Sequence, residues 1–303
     1  MKPKSSIREY AMGLIFFAPF LILFTIFTVI PVVVGMGMSL TDYDLLRSPS
    51  FVGFNNYQNL FMRDANFIKA LQNTFIIGGI AGPAGYLLSF LFAWIINNLK
   101  FKRLLTIIFY APSIAGGMSI IWTYLFSGDR YGLINNWLLN FGFISQPVIW
   151  NQNVDYIIPV NILIIVWGSM GTGFLVFMAG LQNNDIQLKE AGRIDGISNA
   201  FQELWFIILP QMKPQLLYGA ITSIVGAVGI FPSFGGFPSP NYAAHTLSAH
   251  IQDYGFIRFE MGYASAICMI MFFLSFGLGQ VVIRLLSERP ERRPKRITLR
   301  RKS

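Results

Sequence analysis

The chain has 303 residues and a formal net charge of +9; 54% of its residues are hydrophobic and only 12% are charged. Soluble domains carry roughly 25% charged residues, so this composition favours a membrane protein over a soluble enzyme. The single cysteine excludes a framework of disulfide bonds.

Six uncharged stretches follow one another along the chain. A helix needs about 20 apolar residues to cross the roughly 30 Å hydrocarbon core of a bilayer. The stretches that lack Asp, Glu, Lys and Arg are 11–38, 70–99, 104–128, 156–184, 214–230 and beyond, and 261–283. They do not alternate in short segments as barrel strands do. We therefore predict an all-α membrane protein with six transmembrane helices, the first of which is too long for a signal-peptide core and is retained.

The basic residues set the predicted orientation. With both termini in the cytoplasm, 18 of the 23 Lys and Arg residues fall on the inner side, in accord with the positive-inside rule. This divides the chain into a cytoplasmic N-terminus (1–10), a six-helix domain (11–284) and a basic cytoplasmic tail (285–303). The positive charge is thus a topology signal and suits anionic headgroups of the membrane lipid. It does not indicate nucleic-acid binding.

The loops on the outer side are predicted at 39–70, 129–155 and 235–260. Aromatic residues and Pro/Gly punctuation in the first indicate a folded surface segment, and the third is predicted to contain a short helix from Thr246. Within the second span, Gly78 and Gly82 have the small-xxx-small spacing that allows close helix packing.

The sequence contains no recognisable catalytic or metal-binding motif. His245 and His250 lie five residues apart without cysteine or a carboxylate cluster nearby, which does not match a zinc site. The chain has no G-x-x-x-x-G-K-[ST] phosphate loop, so any ATP must be bound by another chain. We expect no catalytic residue, metal or cofactor in this chain.

Two other classes of protein are alternatives to consider for this composition. An ion-coupled secondary carrier or a channel usually holds charged groups inside its spans, and none lies in these six stretches, although backbone and Asn oxygens can also hold sodium. A membrane anchor or receptor subunit would carry a soluble domain of normal size, and the sequence has none.

The most charged internal stretch is the predicted cytoplasmic loop 185–213, within "DIQLKEAGRIDGISNAFQELWFIILPQMKP". Asp185 is a suitable N-cap, and Glu190 and Arg193 have the spacing of an ion pair. The apolar positions of the loop form two helical stripes: Leu188, Ala191 and Ile194, then Ile197, Phe201, Leu204 and Ile208. With Gly196 as the turn, they predict two short amphipathic helices. By periodicity they could rest on the membrane or dock on a partner.

The segment "EAGRIDG…IILP" resembles the E-A-A-x-x-x-G…I-x-L-P motif of permease subunits of bacterial binding-protein-dependent ABC importers. The matched positions are Glu190, Ala191, Asp195, Gly196, Ile207, Leu209 and Pro210. Gly192 replaces the second Ala, and the spacer from Gly196 to Ile207 is one residue longer than usual. The stretches "FFAPFLILFTIFTVIPVVVGMGMSLTDYDL", "FVGFNNYQNLF", "FIKALQNTF" and "GFIRFEMGYASA" are similar to maltose-type carbohydrate permeases.

The resemblance implies a type I ABC importer permease fold in a bacterial inner or plasma membrane. It implies that the loop is a coupling helix in a groove of a separate ATPase subunit, which holds the ATP and Mg²⁺. The residues assigned to this coupling are Glu190, Ala191, Gly192, Asp195, Gly196, Leu209 and Pro210. The implied partners are a second, different permease, two ATPase subunits, an external solute-binding protein and a sugar. An oligosaccharide is favoured, and a non-sugar solute is the alternative within the family.

A sugar path should be lined by uncharged polar and aromatic groups, which meet hydroxyls and sugar rings. The candidates in the later spans are Asn161, Trp167, Ser169, Thr172, Tyr218, Thr222 and Ser223. For each of them, a helix–helix hydrogen bond or an interfacial position is the alternative role. Pro210 and Pro214 are expected to form a stiff junction between loop and span.

Overall fold

The computed structural model describes residues 7–114, 118–232, 234 and 239–286. Within them the chain is helical without a β-strand, apart from one isolated bridge between Thr41 and Phe51. The α-helices are α1 (Ile7–Phe24), α2 (Ile30–Met38), α3 (Asn55–Met62), α4 (Ala65–Asn97), α5 (Lys102–Ile114), α6 (Met118–Leu125), α7 (Leu133–Asn140), α8 (Val154–Gln182), α9 (Ile186–Ile194), α10 (Ala200–Glu203), α11 (Leu209–Gln211), α12 (Lys213–Val228), α13 (Leu247–Gln252) and α14 (Met261–Leu286). The π-helical turns are Thr25–Val29, Leu204–Ile208 and Asp253–Ile257, and Pro240–Tyr242 is a 3-10 helix. The helical class predicted from the sequence is confirmed for these residues.

Helical segments long and apolar enough to cross a membrane occur four times in the described part: Met12–Met38, Ala65–Asn97, Val154–Gln182 and Met261–Leu286. They coincide with the first, second, fourth and sixth predicted spans. The third predicted span is present as α5 and α6, between which residues 115–117 are outside the described part. The fifth forms α12, which has 16 residues and is shorter than the about 20 that a full crossing needs. The six-span count therefore stays a prediction.

Three of the long helices run in one direction and α12 runs in the other. Near the start of α4, Phe67 packs with Leu247 and with Ile267 near the start of α14. Near the end of α4, Ala93 packs with Phe177 near the end of α8 and with Met212 just before α12. So α4, α8 and α14 begin at one end of the bundle and α12 begins at the other. We call these the Asp64 end and the loop end.

Close contact between α4 and α12 depends on glycine. A Cβ built on Gly78 would lie 2.7 Å from the backbone oxygen of Ala227, and one on Gly82 would lie 3.1 Å from the Ala227 Cβ. The Ser223 hydroxyl donates a hydrogen bond of 2.8 Å to the Gly82 carbonyl oxygen across the same interface. The small-xxx-small spacing of Gly78 and Gly82 thus marks a site where the backbones of α4 and α12 are too close for a larger side chain to fit between them.

Asp64 joins four elements at its end of the bundle: α4, α13, the π turn Asp253–Ile257 and α14. Its Oδ1 accepts the Phe67 N–H at 3.0 Å and caps α4, so α4 begins at Ala65, earlier than the predicted start at residue 70. Its Oδ2 lies 3.1 Å from His250 Nε2 and accepts the Tyr254 and Tyr263 hydroxyls at 3.1 and 3.0 Å. The predicted helix after Thr246 is present as α13, because the Thr246 side chain accepts the Ala249 N–H.

The two histidines belong to this cluster and are both about 1% exposed. His245 Nε2 lies 3.0 Å from His250 Nδ1. Because Asp64 is an acceptor, His250 donates from Nε2, and His245 then donates to the remaining His250 nitrogen. Burial and the neighbouring His250 lower the pKa of His245 to about 4. Burial opposes ionisation of Asp64, but hydrogen bonds from His250 and the Phe67 N–H outweigh it and hold its pKa well below the usual range.

Candidate functional site

A cleft of about 370 Å³ lies between α4, α8 and α12. Glycine is frequent in its wall: Gly82, Gly85, Gly168, Gly173, Gly219 and Gly226. The polar side chains that line it are Tyr86, Ser89, Thr222 and Ser223. The lining is therefore largely apolar and includes several hydroxyl groups, which suits an uncharged polar solute.

Ser89 is the hydroxyl of this wall that has no hydrogen-bond partner among the described residues. It is 1% exposed, and within the described residues no group makes a hydrogen bond to its Oγ. A buried hydroxyl without a partner costs free energy unless a ligand or water satisfies it. Tyr86, one helical turn earlier, donates from its hydroxyl to the Leu216 carbonyl oxygen at 3.2 Å.

Tyr86 and Ser89 are not among the path residues predicted from the sequence, because all of those candidates lie in the later spans. A signal was present: Gly82, Gly85, Tyr86 and Ser89 follow the i, i+3, i+4, i+7 spacing of one helix face. Small and polar residues on one face of an apolar span indicate a packed or solute-lined surface.

The predicted path residues separate into different places. Thr222 and Ser223 line the cleft, although Ser223 also donates to Gly82 and Thr222 to the carbonyls of its own helix. Tyr218 and Trp167 are outside the described lining and largely exposed; the Trp167 ring lies edge-on to Trp122, with 6.1 Å between the centroids. The side chains of Ser169 and Thr172 lie outside the described residues.

The Asn161 side chain forms hydrogen bonds to backbone groups. Its Nδ2 donates to the carbonyl oxygens of Ile157 at 2.8 Å and Phe234 at 3.0 Å, and its Oδ1 accepts the Phe234 N–H at 3.2 Å. The side chain is 0% exposed. Asn161 therefore holds residue 234 against α8 and is not part of the described cleft wall.

The loop between α8 and α12 contains the charged motif and has the predicted two-helix form. Asp185 caps α9 by accepting the Gln187 N–H at 2.8 Å. Gly196 ends α9 with a φ of 95°, and the Ile197 N–H donates to the Gly192 carbonyl oxygen at 2.9 Å. This is the Schellman arrangement, which requires a left-handed residue and so favours glycine.

The second helix of the loop consists of α10, the π turn Leu204–Ile208 and α11. Its buried positions differ from the predicted apolar stripe. The π turn Leu204–Ile208 rotates the chain, so Leu204, Ile207 and Ile208 are buried whereas Phe201 is 66% exposed. A π turn holds an additional residue relative to an α-helical turn. The turn thus accommodates one more residue between Gly196 and Ile207, which matches the longer spacer seen in the sequence.

The charge pairing of the loop also differs from expectation. Glu190 and Arg193 form no ion pair in the described loop; Lys189 Nζ instead lies 2.8 Å from Glu203 Oε1. Because this salt bridge joins α9 to α10, it fixes the two helices relative to each other. The Glu190 carboxylate remains on the surface.

One face of α9 is exposed along its whole length. Ile186 is 69% and Ile194 87% exposed, and Glu190 lies between them at the i, i+4, i+8 spacing of a single stripe. The assigned coupling residues Ala191, Asp195, Gly196 and Pro210 are also exposed, Leu209 is half-buried, and Gly192 is buried. Two isoleucines and a carboxylate without an intramolecular cover form a surface suited to a partner.

Residues 81–290 match the family model described as "Binding-protein-dependent transport system inner membrane component". The chain belongs to this family. It is 34% identical over 282 residues to the probable ABC transporter permease protein YesP of Bacillus subtilis, covering 89% of each chain. It is 29% identical over 281 residues to the lactose transport system permease protein LacF of Rhizobium radiobacter, covering 88% of this chain and 92% of that one.

A solved structure has the same fold as this permease. A chain of a bacterial alginate ABC transporter, crystallised in complex with an alginate pentasaccharide-bound periplasmic protein, superimposes with a TM-score of 0.75 at 19% identity. The match covers 92% of this chain and 96% of that chain. The resemblance to importer permeases is confirmed, and members of this family are transport subunits rather than catalytic enzymes.

Proposed function

We propose that this permease forms half of the translocation path of an ATP-driven importer for a sugar, with an oligosaccharide as the favoured substrate. Relatives named for transport of lactose and of arabinooligosaccharides support the sugar class. The observation that carries the coupling role is the exposed Ile186–Glu190–Ile194 face of α9. We infer that it docks in a groove of a separate ATPase subunit, which binds the ATP and Mg²⁺.

The proposed assembly contains this chain, a second and different permease, two ATPase subunits and an external solute-binding protein, in a bacterial inner or plasma membrane. Six spans with both termini in the cytoplasm put the α8–α12 loop on the ATPase side and the Asp64 end outside. The opposite directions of α4 and α12 support this arrangement. Residues 1–10 and the basic tail 285–303 then lie in the cytoplasm beside the membrane lipid.

The cleft between α4, α8 and α12 is the proposed sugar path. A sugar loses several kcal/mol for each hydroxyl that is stripped of water without a partner, so the path must supply hydrogen bonds. The hydroxyls of Ser89 and Thr222 supply them here, and the ring of Tyr86 supplies an apolar face. Energy for alternating access comes from the ATPase through α9.

Co-purification and sugar-stimulated hydrolysis test the proposal. The wild-type chain is expected to bring down an ATPase and a second permease, and ATP hydrolysis in proteoliposomes should rise with a loaded solute-binding protein and one class of sugar. Glu190→Ala is expected to lower hydrolysis at least about tenfold if a charge-assisted contact of about 1.5–3 kcal/mol is lost. The matched control is Asp155→Asn, an exposed carboxylate at the Asp64 end.

The outcomes separate the candidates. Stimulation by a non-sugar solute alone would keep the importer and reject the sugar. Uptake by this chain alone, driven by an ion gradient without an ATPase, would instead favour a secondary carrier.

A further inference from the structure

The contact between α9 and the second helix of the loop depends on one glycine. Gly192 is the single buried residue of α9. A Cβ built there would overlap the Cδ1 methyl of Ile207 and would lie 3.1 Å from the Cδ1 methyl of Ile197. The Ile207 side chain, itself 9% exposed, is therefore seated directly over the α9 backbone, closer than any side chain at position 192 would permit.

Ile207 faces α9 together with two neighbours on its own helix. Leu204, Ile207 and Ile208 have the i, i+3, i+4 spacing that puts side chains on one helix face, and all three are buried. The missing side chain at Gly192 supplies the room that the Ile207 side chain fills.

Two polar contacts also join α9 to the rest of the loop. The Lys189–Glu203 salt bridge of 2.8 Å joins α9 to α10, and its side chains are 23% and 20% exposed. The Asp185 N–H donates to Gln211 Oε1 at 3.0 Å and joins the start of α9 to α11. These contacts hold the start and the middle of α9, whereas Ile207 contacts it at Gly192, nearer its C-terminal end.

The second helix leads directly into the bundle. Leu204, Ile208 and Met212 pack in one cluster with Phe177 and Leu181 of α8, and Met212 is 0% exposed. The Leu216 N–H of α12 donates to the Met212 carbonyl oxygen at 2.9 Å. A displacement of α9 therefore reaches α12 through Ile207 and the helix that carries it, because packed elements transmit movement as units.

We propose that Ile207 is a positioning residue whose δ-methyl group, seated over Gly192, transmits movement of α9 to α12. This inference rests on the proposed docking of α9 on an ATPase. It assigns a role to Ile207 that differs from contact with the partner: Ile207 is buried and touches the back of α9, while the Glu190 face remains free. Loss of the contact between Ile207 and Gly192 should uncouple ATP hydrolysis from sugar transport, while the ATPase still binds.

A double-mutant cycle in the assembled transporter in proteoliposomes tests the linkage. The readout is sugar transported per ATP hydrolysed, together with the amount of ATPase that co-purifies. Gly192→Ala should lower the amount of sugar transported per ATP about fivefold, because the free-energy cost of overpacking a buried contact corresponds to a change of about that size. Ile207→Val removes the overlapping methyl and should by itself lower the ratio about twofold to fivefold. The double variant should return to within about twofold of the wild type.

Matched controls are available. Gly277→Ala changes a helical glycine of α14 whose Cβ would meet nothing within 4 Å, and Ile107→Val trims an isoleucine of α5 that is 65% exposed. Both should leave the ratio unchanged. If Gly192→Ala does not assemble, charge exchange provides a second cycle: Lys189→Glu and Glu203→Lys should each lower the ratio, and the exchanged pair should restore it.

The results that overturn the linkage are specific. Additive effects of Gly192→Ala and Ile207→Val, or equal losses of transport and hydrolysis without rescue, would leave Ile207 with no role in transmission. Absence of an ATPase from the purified wild-type chain would refute the proposed function itself, and the linkage with it.

Discussion

The Nε2 atom of His250 lies 3.1 Å from the Oδ2 atom of Asp64, across 186 positions of sequence. The contact ties α13 to the start of α4, and the hydroxyls of Tyr254 and Tyr263 converge on the same oxygen. Because His245 donates to His250, a chain of hydrogen bonds runs from His245 to the Asp64 carboxylate, whose side chain is only 10% exposed.

Acidification should loosen this chain through His245. Its folded pKa is lowered to about 4 from the ordinary 6.5, so an opened state binds a proton more readily than the native one. Local opening of residues 239–257 should therefore rise as pH falls below 6.5, by at most about tenfold per pH unit, and level off near pH 4. Burial is the main cause of the low pKa of His245; His250 and Arg258 lower this pKa further, and Asp253 and Asp64 oppose them. Hydrogen exchange of this segment between pH 7 and 4 measures the effect once each rate is divided by the intrinsic rate of an unprotected amide at the same pH, and the exchange values below are corrected in this way.

The control for the pH effect is His245→Gln, which removes the titrating ring; its exchange should be much flatter over this range. Asp64 acts in the opposite sense. Its pKa is lowered in the native state, so its contribution to stability is complete above pH 4 and is lost only in strong acid. Asp64→Asn should therefore raise exchange equally at pH 7 and pH 5. Exchange that is independent of pH in the wild type would contradict the assignment.

Gly78 and Gly79 form a matched pair for testing helix packing. Gly78→Ala places a methyl group against the Ala227 carbonyl oxygen and should destabilise the α4–α12 contact by about 1–3 kcal/mol. Gly79→Ala meets nothing within 4 Å and should leave stability unchanged or slightly higher. Thermal unfolding in detergent compares the two; equal midpoints would show that α4 and α12 separate more easily than the structure indicates.

Ser89 and Ser223 separate substrate contact from helix packing. Ser89→Ala removes a hydroxyl that has no partner in the described residues, so it should raise the KM for sugar without lowering stability. Ser223→Ala removes the hydrogen bond to Gly82 and should lower stability by about 1 kcal/mol. Transport kinetics and thermal unfolding of both variants give the comparison, and an unchanged KM for Ser89→Ala would take this hydroxyl out of the sugar path.

The features that local patterns encode were predictable. Apolar length gave the four long spans, Asp185 and Thr246 gave helix starts, and Gly196 gave the turn, because each depends on residues within a few positions. The ion pair of Lys189 was not predictable, since Glu203 lies on another helix, beyond the turn at Gly196. Asn161 was assigned to the sugar path because its type fits, but its partner Phe234 is 73 positions away. Long-range backbone partners leave no periodic signal.

Asn161→Ala should act as a loss of structure. The variant leaves the carbonyl oxygen and N–H of Phe234 without their buried partner, which costs about 1–3 kcal/mol. We expect a lower unfolding midpoint and faster proteolysis near residue 234, with the KM of the folded fraction unchanged. A raised KM at normal stability would instead restore Asn161 to the sugar path. Asn140→Ala is the control, because Asn140 is exposed and bonds only to Asn136 among the described residues.

Pro210 and Pro214 flank Met212, where the chain passes from the loop into the bundle. Pro210 lies in the first turn of α11 and Pro214 in the first turn of α12, positions that fix φ at a helix start. Glycine at both positions frees the backbone and weakens the junction by about 1 kcal/mol per site. A softer junction should let α9 move without turning α12, so ATP hydrolysis should persist while sugar transported per ATP falls about threefold or more.

The comparison for the double glycine variant is Pro147→Gly, in the loop before α8 at the opposite end of the bundle. That change should leave the ratio of transport to hydrolysis unaltered. Unchanged coupling in the Pro210→Gly, Pro214→Gly chain would mean that rigidity at this junction is not required. The buried contacts of Met212 and Ile207 would then transmit the movement by packing alone, because they remain in place when both prolines are removed.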